Sequence, residues 1–420
     1  MEVSPRKRRL FSALLPAVLS LATFSTVSAE SISSALETGR PAGNHEPGSK
    51  AGASKTGGER LDAENEAESG EKGPSGTFEI PGTDAKIKIG GYVKLDLIHD
   101  FDAIGYEDRF DTSTIATDGS DRENTRAHAK QSRLNLELLR PTRRGDLQIF
   151  AEGDFFGSGD SVRLRHAYGS LGPLLAGQTW STFTDEDVKP PTLDFESPRS
   201  YISLRQALIR WTRPLSDRTY VALALEEPDA EFLLPAGVSG TSEDPYPDLT
   251  GRLRWRLDAG HLQLSTFVGV ARFRPDNGKE ADETIWGVNV SGSAQLVGRD
   301  RFRFQLAYGD GLARYRGGPA AVVDSSGRPE AVATTALMIS YQHFWNDHLH
   351  SHVMYSYGEN DTIGSVEAAH AFDYAALNLV WEFAEGTSAG VEWLYGTRED
   401  NDGSSGEANR LQVAVKFELF

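Results

Sequence analysis

From Lys86 to the end of the chain, apolar and polar residues alternate with a period of two, and this pattern limits the fold more than any other feature. In the first segment Ile87, Ile89, Val93, Leu95 and Leu97 fall on one face, and Lys86, Lys88, Lys94 and Asp96 on the other. A period of two is that of a strand with one apolar side. The pattern returns with Leu134, Leu136 and Leu138 against Arg133, Asn135 and Glu137. It returns again with Val221, Leu223 and Leu225; Leu253, Trp255 and Leu257; Phe302, Phe304, Leu306 and Tyr308; and Leu377, Leu379, Trp381 and Phe383. Sixteen such segments can be counted in the sequence. Beyond the N-terminus, no apolar run reaches the roughly 18 residues that a membrane-crossing helix needs.

The links between segments sort by length. Short turns fall at residues 141–145, 172–173, 214–217, 258–260, 298–300, 346–347 and 384–387. Longer, acidic, Gly-rich links such as 101–129, 228–248 and 309–330 lie between them. A soluble sandwich has no reason to alternate its links in this way, whereas a membrane barrel has short turns at one end and long loops at the other. Closure follows from lipid, where an open sheet edge would leave backbone groups unpaired. The predicted fold is therefore an all-β, 16-stranded antiparallel transmembrane β-barrel over residues 85–420, in the outer membrane of a Gram-negative cell, with both ends of the barrel in the periplasm. Trp211, Trp345 and Tyr395 stand near segment ends, where interfacial aromatic girdles sit. The final strand carries Leu411, Val413, Val415, Phe417 and Leu419 on one face, and the terminal Phe420 is out of phase with it.

Residues 1–29 read as a secretory signal: Arg6 to Arg9 form a basic start, Leu10 to Leu21 is mostly apolar, and Val27, Ser28 and Ala29 make a small-residue cleavage site. Arg8, Arg9, Leu10 and Phe11 also resemble a twin-arginine signal, but that route carries folded cargo, and a lipid-facing barrel cannot travel folded through water. Residues 30–84 are rich in Gly, Ser, Glu, Ala and Lys and almost without aromatic or β-branched side chains up to about Gly76, as expected of a disordered periplasmic leader. The chain has no cysteine, which removes disulfides and thiolate chemistry. Its net charge of −18 disfavours nucleic acid as a partner.

On the second, fourth, sixth and eighth segments, arginines lie opposite the apolar face: Arg133; Arg163 and Arg165; Arg210; and Arg252, Arg254 and Arg256. In lipid each would cost about 2–4 kcal/mol at the midplane, so a water-filled lumen is where they belong. Four neighbouring strands with arginine predict a cationic wall. After the fifth segment come Asp185, Glu186, Asp187, Pro190, Pro191, Asp194 and Glu196, too polar and Pro-broken for a strand. This third loop is expected to fold inward and narrow the pore, with its carboxylates facing the wall so that a transverse field orients hydrated anionic or dipolar solutes.

The segments GYVKLDLIHD (residues 91–100), RLRHAYGSLGPLLAGQTWSTF (163–183) and PTLDFESP (191–198) resemble the DcaP-like trimeric porins of Gram-negative outer membranes. The resemblance implies a sixteen-stranded homotrimeric channel with an arginine-bearing constriction, associated with uptake of dicarboxylates and other small organic anions. It assigns Arg163 and Arg165 to the wall, and Gln178, Asp194 and Glu196 to the constriction. Members of the family commonly carry a coiled coil before the barrel, and this chain has the Gly- and Ser-rich leader instead.

Two other readings compete with a passive channel. His348, His350 and His352 share a strand face but have no carboxylate pattern or Ser motif beside them, so neither catalysis nor a metal site is expected, and no cofactor. His166, equally without a partner, is a candidate for the subunit contact. The acidic loop with Asp229, Glu231, Glu243, Asp244 and Asp248 could bridge cations to lipopolysaccharide or serve an adhesin or receptor.

Overall fold

A computed structural model describes residues 76–361 and 368–419. The secretory signal, most of the leader and Phe420 lie outside the described residues. Among the described residues, sixteen antiparallel strands close into a barrel. In chain order they are β1 (Lys86–Asp100), β2 (Asn124–His128 and Arg133–Thr142), β3 (Gly145–Asp154), β4 (Arg163–Leu171), β5 (Leu174–Trp180), β6 (Arg205–Ser216), β7 (Thr219–Glu226) and β8 (Asp248–Leu257). The second half consists of β9 (Gly260–Pro275), β10 (Ala281–Gln295), β11 (Arg301–Asp310), β12 (Ala333–Phe344), β13 (Leu349–Asp361), β14 (Ala369–Ala384), β15 (Thr387–Asp400) and β16 (Ser405–Glu418). Each strand pairs with its neighbour in sequence, and the barrel closes where β1 meets β16, with Tyr92 opposite Glu418 and Asp100 opposite Arg410. A short strand, Thr77–Glu79, folds back on the start of β1.

The alternation seen in the sequence is an inside-out one. Val93, Leu95, Leu134, Leu136, Leu223, Leu377 and Trp381 are exposed on the outer surface, while Asp96, Glu152, Gln263, Ser291, Gln305, Asn378 and Gln412 are buried within. Lipid is the solvent that rewards this arrangement. The links are less strictly sorted than the sequence predicts. Residues 276–280 and 401–404, at the loop end, are no longer than the turn at 296–300, because β9, β10, β15 and β16 run on past the barrel rim. The first long link is also shorter than expected, since Asn124–His128 pairs with β1 before the break at 129–132.

More than one loop folds inward. Loop 1 (101–123), loop 3 (181–204) and loop 6 (311–332) bury apolar side chains inside the loop end of the barrel. Loop 4, between β7 and β8, joins them through Ala230 and the pairing of Phe232–Leu233 with Ala321 and Val322 of loop 6. One cluster joins Phe183 and Ile202 of loop 3 to Leu312 and Tyr315 of loop 6, against Phe267, Ile285 and Ala336 of the wall. A second joins Phe110 and Ile115 of loop 1 to Val188 and Tyr201 of loop 3, against Met338, Met354, Tyr374 and Leu394. The wall makes room with glycine. A Cβ on Gly406 would lie 1.9 Å from the Ala116 carbonyl, and one on Gly396 would lie 2.6 Å from Thr112. The Arg199 guanidinium ties the loops together, meeting Asp111 at 2.8 Å on both oxygens and donating to the Arg316 carbonyl at 2.7 Å.

Candidate functional site: a loop crossing an arginine-bearing lumen

Loop 3 leaves β5 and crosses the lumen to the far wall. Ser265 of β9 and Asn289 of β10 donate to the Phe183 carbonyl at 2.9 and 3.2 Å, and Gln263 donates to that of Thr184 at 3.2 Å. Further on, the Leu193 and Asp194 amides donate to Glu392 of β15 at 2.9 and 2.8 Å, and Asn378 of β14 donates to the Pro191 carbonyl at 2.8 Å. Lys94 of β1 and Gln412 of β16 both donate to the Leu193 carbonyl. The loop returns past β11, where Gln305 donates to the Ser200 carbonyl at 2.7 Å. Each of these wall residues is a polar side chain on an inward face, so the strand pattern itself supplies the docking groups.

The carboxylates of the loop spread over several partners. Asp185 lies 2.8 Å from His261 Nε2, accepts from Ser291 at 2.6 Å and meets Arg254 at 3.3 Å. Burial alone would push its carboxyl up, but His261, Arg254 and Ser291 hold it below the ordinary range. Asp187 pairs with the other terminal nitrogen of Arg254. Glu186 is raised by burial and accepts from the Tyr201 hydroxyl at 3.0 Å. Asp194 accepts from the Phe110 amide at 3.0 Å and meets Arg410 of β16 at 3.2 Å. Its burial wins over Arg410 and pushes it up to about 6. Glu196 faces Arg109 and Arg316, at 3.8 and 3.7 Å. Of the five carboxylates expected to face the arginine wall, Asp185 and Asp187 thus meet it at Arg254, while Asp194 and Glu196 turn to β16 and to loops 1 and 6.

The arginines fall on the inward face as the alternation requires, in two kinds of surroundings. Arg163 and Arg165 pair with acids of β3: Arg163 with Asp154 at 2.6 Å, and Arg165 with Glu152 at 2.5 Å and Asp154 at 3.1 Å. Arg133 lies 4.0 Å from Glu152, with its guanidinium 5.5 Å from the centre of the Tyr92 ring. Arg210 donates to the Trp180 carbonyl at 3.3 Å. Arg252, Arg254 and Arg256 follow on β8, and Arg256 lies 4.5 Å over the Tyr220 ring. Arg205, which the sequence does not single out, lies 4.5 Å over Trp180. A carboxylate cancels a guanidinium charge, but an aromatic face leaves it in place.

Three sequence expectations are corrected. Gln178 does not face the lumen: it pairs with Ala167 and Ala207 on the outward side of β5, and its amide donates to the Leu164 and Arg165 carbonyls. His166 is inward and buried rather than at a subunit contact, 3.0 Å from the Thr179 hydroxyl. In the acidic fourth loop, Asp248 is turned into the barrel against Arg314 and is not a free surface acid, while Asp244 stays exposed and accepts from the Ala230 amide. Among the described residues, the cluster of possible metal ligands is Asp185, Asp187 and His261, where Arg254 already serves the carboxylates. His348, His350 and His352 do not form such a cluster.

The family model described as DcaP outer membrane protein matches residues 63–419. Among solved structures, the outer membrane channel DcaP of Acinetobacter baumannii is similar at 23% identity and a TM-score of 0.73, over 81% of this chain and 99% of that one. The anion-selective porin from Comamonas acidovorans is similar at 11% identity and a TM-score of 0.54, over 80% and 100% of the two chains. OmpT of Vibrio cholerae in its trimer form gives 13%, 0.53, 80% and 99%. At these identities the likeness is one of fold. A comparison with curated proteins found no match.

Proposed function

The chain belongs to the DcaP outer membrane protein family, and on that footing we propose that it is a passive channel that prefers small organic anions such as dicarboxylates. One observation carries the reading. Loop 3 takes most of its wall hydrogen bonds from β9 to β16 and β1, and meets the other side at Glu226 of β7 and Arg254 of β8; we assign the passage to that β2 to β8 side, where Arg205 and Arg256 lie over aromatic rings. A narrow polar passage with cations on one wall concentrates anions without removing their hydration. The loop end faces outside and the turn end the periplasm.

The same reading includes a homotrimer. Outward positions on β3 to β6 carry Ala151, Ala167, Ala176 and Ala207 around Gln178, whereas β14 shows lipid Leu377, Leu379, Trp381 and Phe383. Small residues and an amide suit close approach of another subunit better than contact with acyl chains.

Swelling of liposomes containing the protein tests the preference. Succinate is expected to enter several-fold faster than 1,4-butanediamine, a dication of similar length. Equal rates, or a faster diamine, contradict the proposal.

A further inference from the structure

On the turn side of loop 3, beneath Leu193, lies a cavity of about 470 Å³ whose charged lining residues are mostly cations. Arg301 and Arg303 reach it from β11, Lys416 from β16 and Arg299 from the turn, while Glu382 is the carboxylate on its lining. The arginine wall of β2 to β8 does not contribute to it. Some of these charges are already answered, since Lys416 holds Glu418 at 2.7 Å and Arg299 holds Asp347 at 3.3 Å.

Arg303 is different. It is 8% exposed, only its Nη2 is bonded, to Gln342 at 3.1 Å, and its Nε and Nη1 have no hydrogen-bond partner. Among the described residues no carboxylate forms an ion pair with it. Close by, His352 is 1% exposed with both ring nitrogens unpartnered, and His350 lies 4.0 Å from Glu382. A guanidinium held out of water without a counter-charge is unfavourable, and the cheapest remedy is a mobile anion in the adjoining space. Other inward arginines of this barrel, such as Arg165, Arg410 and Arg205, have a carboxylate or an aromatic ring beside them. The missing acid at Arg303 therefore marks a place kept for a charge that comes and goes.

We propose that this cavity is a second anion station, on the turn side of loop 3, which holds one carboxylate group of a small organic anion between Arg303, Arg301 and Lys416. A solute leaving the arginine wall would meet a second cationic surface across the lumen, so it need not shed all its favourable interactions in one step. This rests on the anion-channel reading for its supply of ligand, but the station is tested separately.

The test is single-channel recording in KCl with succinate added to either side of a planar bilayer, alongside the reversal potential of the wild type in a salt gradient. Succinate should interrupt the chloride current of the wild type with resolvable dwell times. Arg303→Gln should shorten those dwells at least tenfold, about 1.4 kcal/mol, and Arg303→Lys, which keeps the charge, should shorten them less. KCl conductance identifies folded variants, and if Arg303→Gln gives none, the comparison runs between wild type and Arg303→Lys, where a dwell equal to that of the wild type refutes the station. Unchanged dwells in Arg303→Gln overturn the proposal, as does a wild type that is anion-preferring yet shows no succinate events. Cation preference in the wild type, with succinate events that vanish in Arg303→Gln, would refute the channel's anion preference and uphold the station.

Discussion

Arg254 sits between two carboxylates of loop 3, so its loss acts on the loop before it acts on any solute. Arg254→Gln leaves Asp185 buried with only His261 and Ser291 to answer its charge. Losing charge-assisted bonds of this kind costs about 1.5–3 kcal/mol, and the variant should show a lower melting temperature and a noisier open-channel current. Asp194 makes a second prediction. Its carboxyl is raised from 3.8 to about 6, so it favours the docked loop most below the lower value, and that contribution is lost as pH rises through the upper one. Acidification from pH 7 to pH 4 should therefore raise the melting temperature by an increment that Asp194→Asn abolishes, and an equal increment in the variant would assign it to other groups. The inward arginines were legible because a period of two carries facing along a strand, although at β4 the register shifts between Glu152 and Gly153, so that His166 is buried beside Arg165. Gln178 rests on the resemblance rather than on strand phase, and β5, Leu174–Trp180, has no clear alternation against which to check it. Arg205 escaped notice as the first residue of β6, where counting from the preceding loop has no anchor. Arg301 and Arg303 alternate visibly with Phe302 and Phe304, but the absence of an acid beside Arg303 arises across strands.

At the scale of elements, the third loop could be read from its Pro190–Pro191 break and its acids, whereas the inward folding of loops 1 and 6 could not. In loop 1 the buried apolar residues are few and widely spaced, and the glycines that admit them lie on β15 and β16, nearly three hundred residues away; loop 6 carries the apolar run Ala320 to Val323, which does not itself say which way the loop turns. Gly406→Val would place side-chain atoms where the Ala116 carbonyl lies, a form of overpacking that costs about 1–3 kcal/mol. The expected result is a barrel that still assembles, with loop 1 newly open to protease and a larger conductance. On the outer surface, Ala167→Trp should leave a folded monomer where the wild type cross-links as a trimer. A trimer that survives this change would move the subunit contact away from β3 to β6.

For the molecule as a whole, alternation gave the strand count and its inside-out polarity, and the break after the fifth strand gave the loop that divides the lumen. The sorting of links into short and long was only approximate because strand extension, not loop length, sets the height of the rim at β9–β10 and β15–β16. What emerges is a barrel with two cationic regions: the wall from β2 to β8 and the pocket around Arg303. The measurement that bears most directly on this account is the reversal potential of single channels in a KCl gradient across a planar bilayer. Wild-type protein should give the sign of anion preference, and the double variant Arg205→Glu, Arg256→Glu should move the potential toward cations. Cation preference in the wild type, or a potential that the double variant leaves in place, would contradict it.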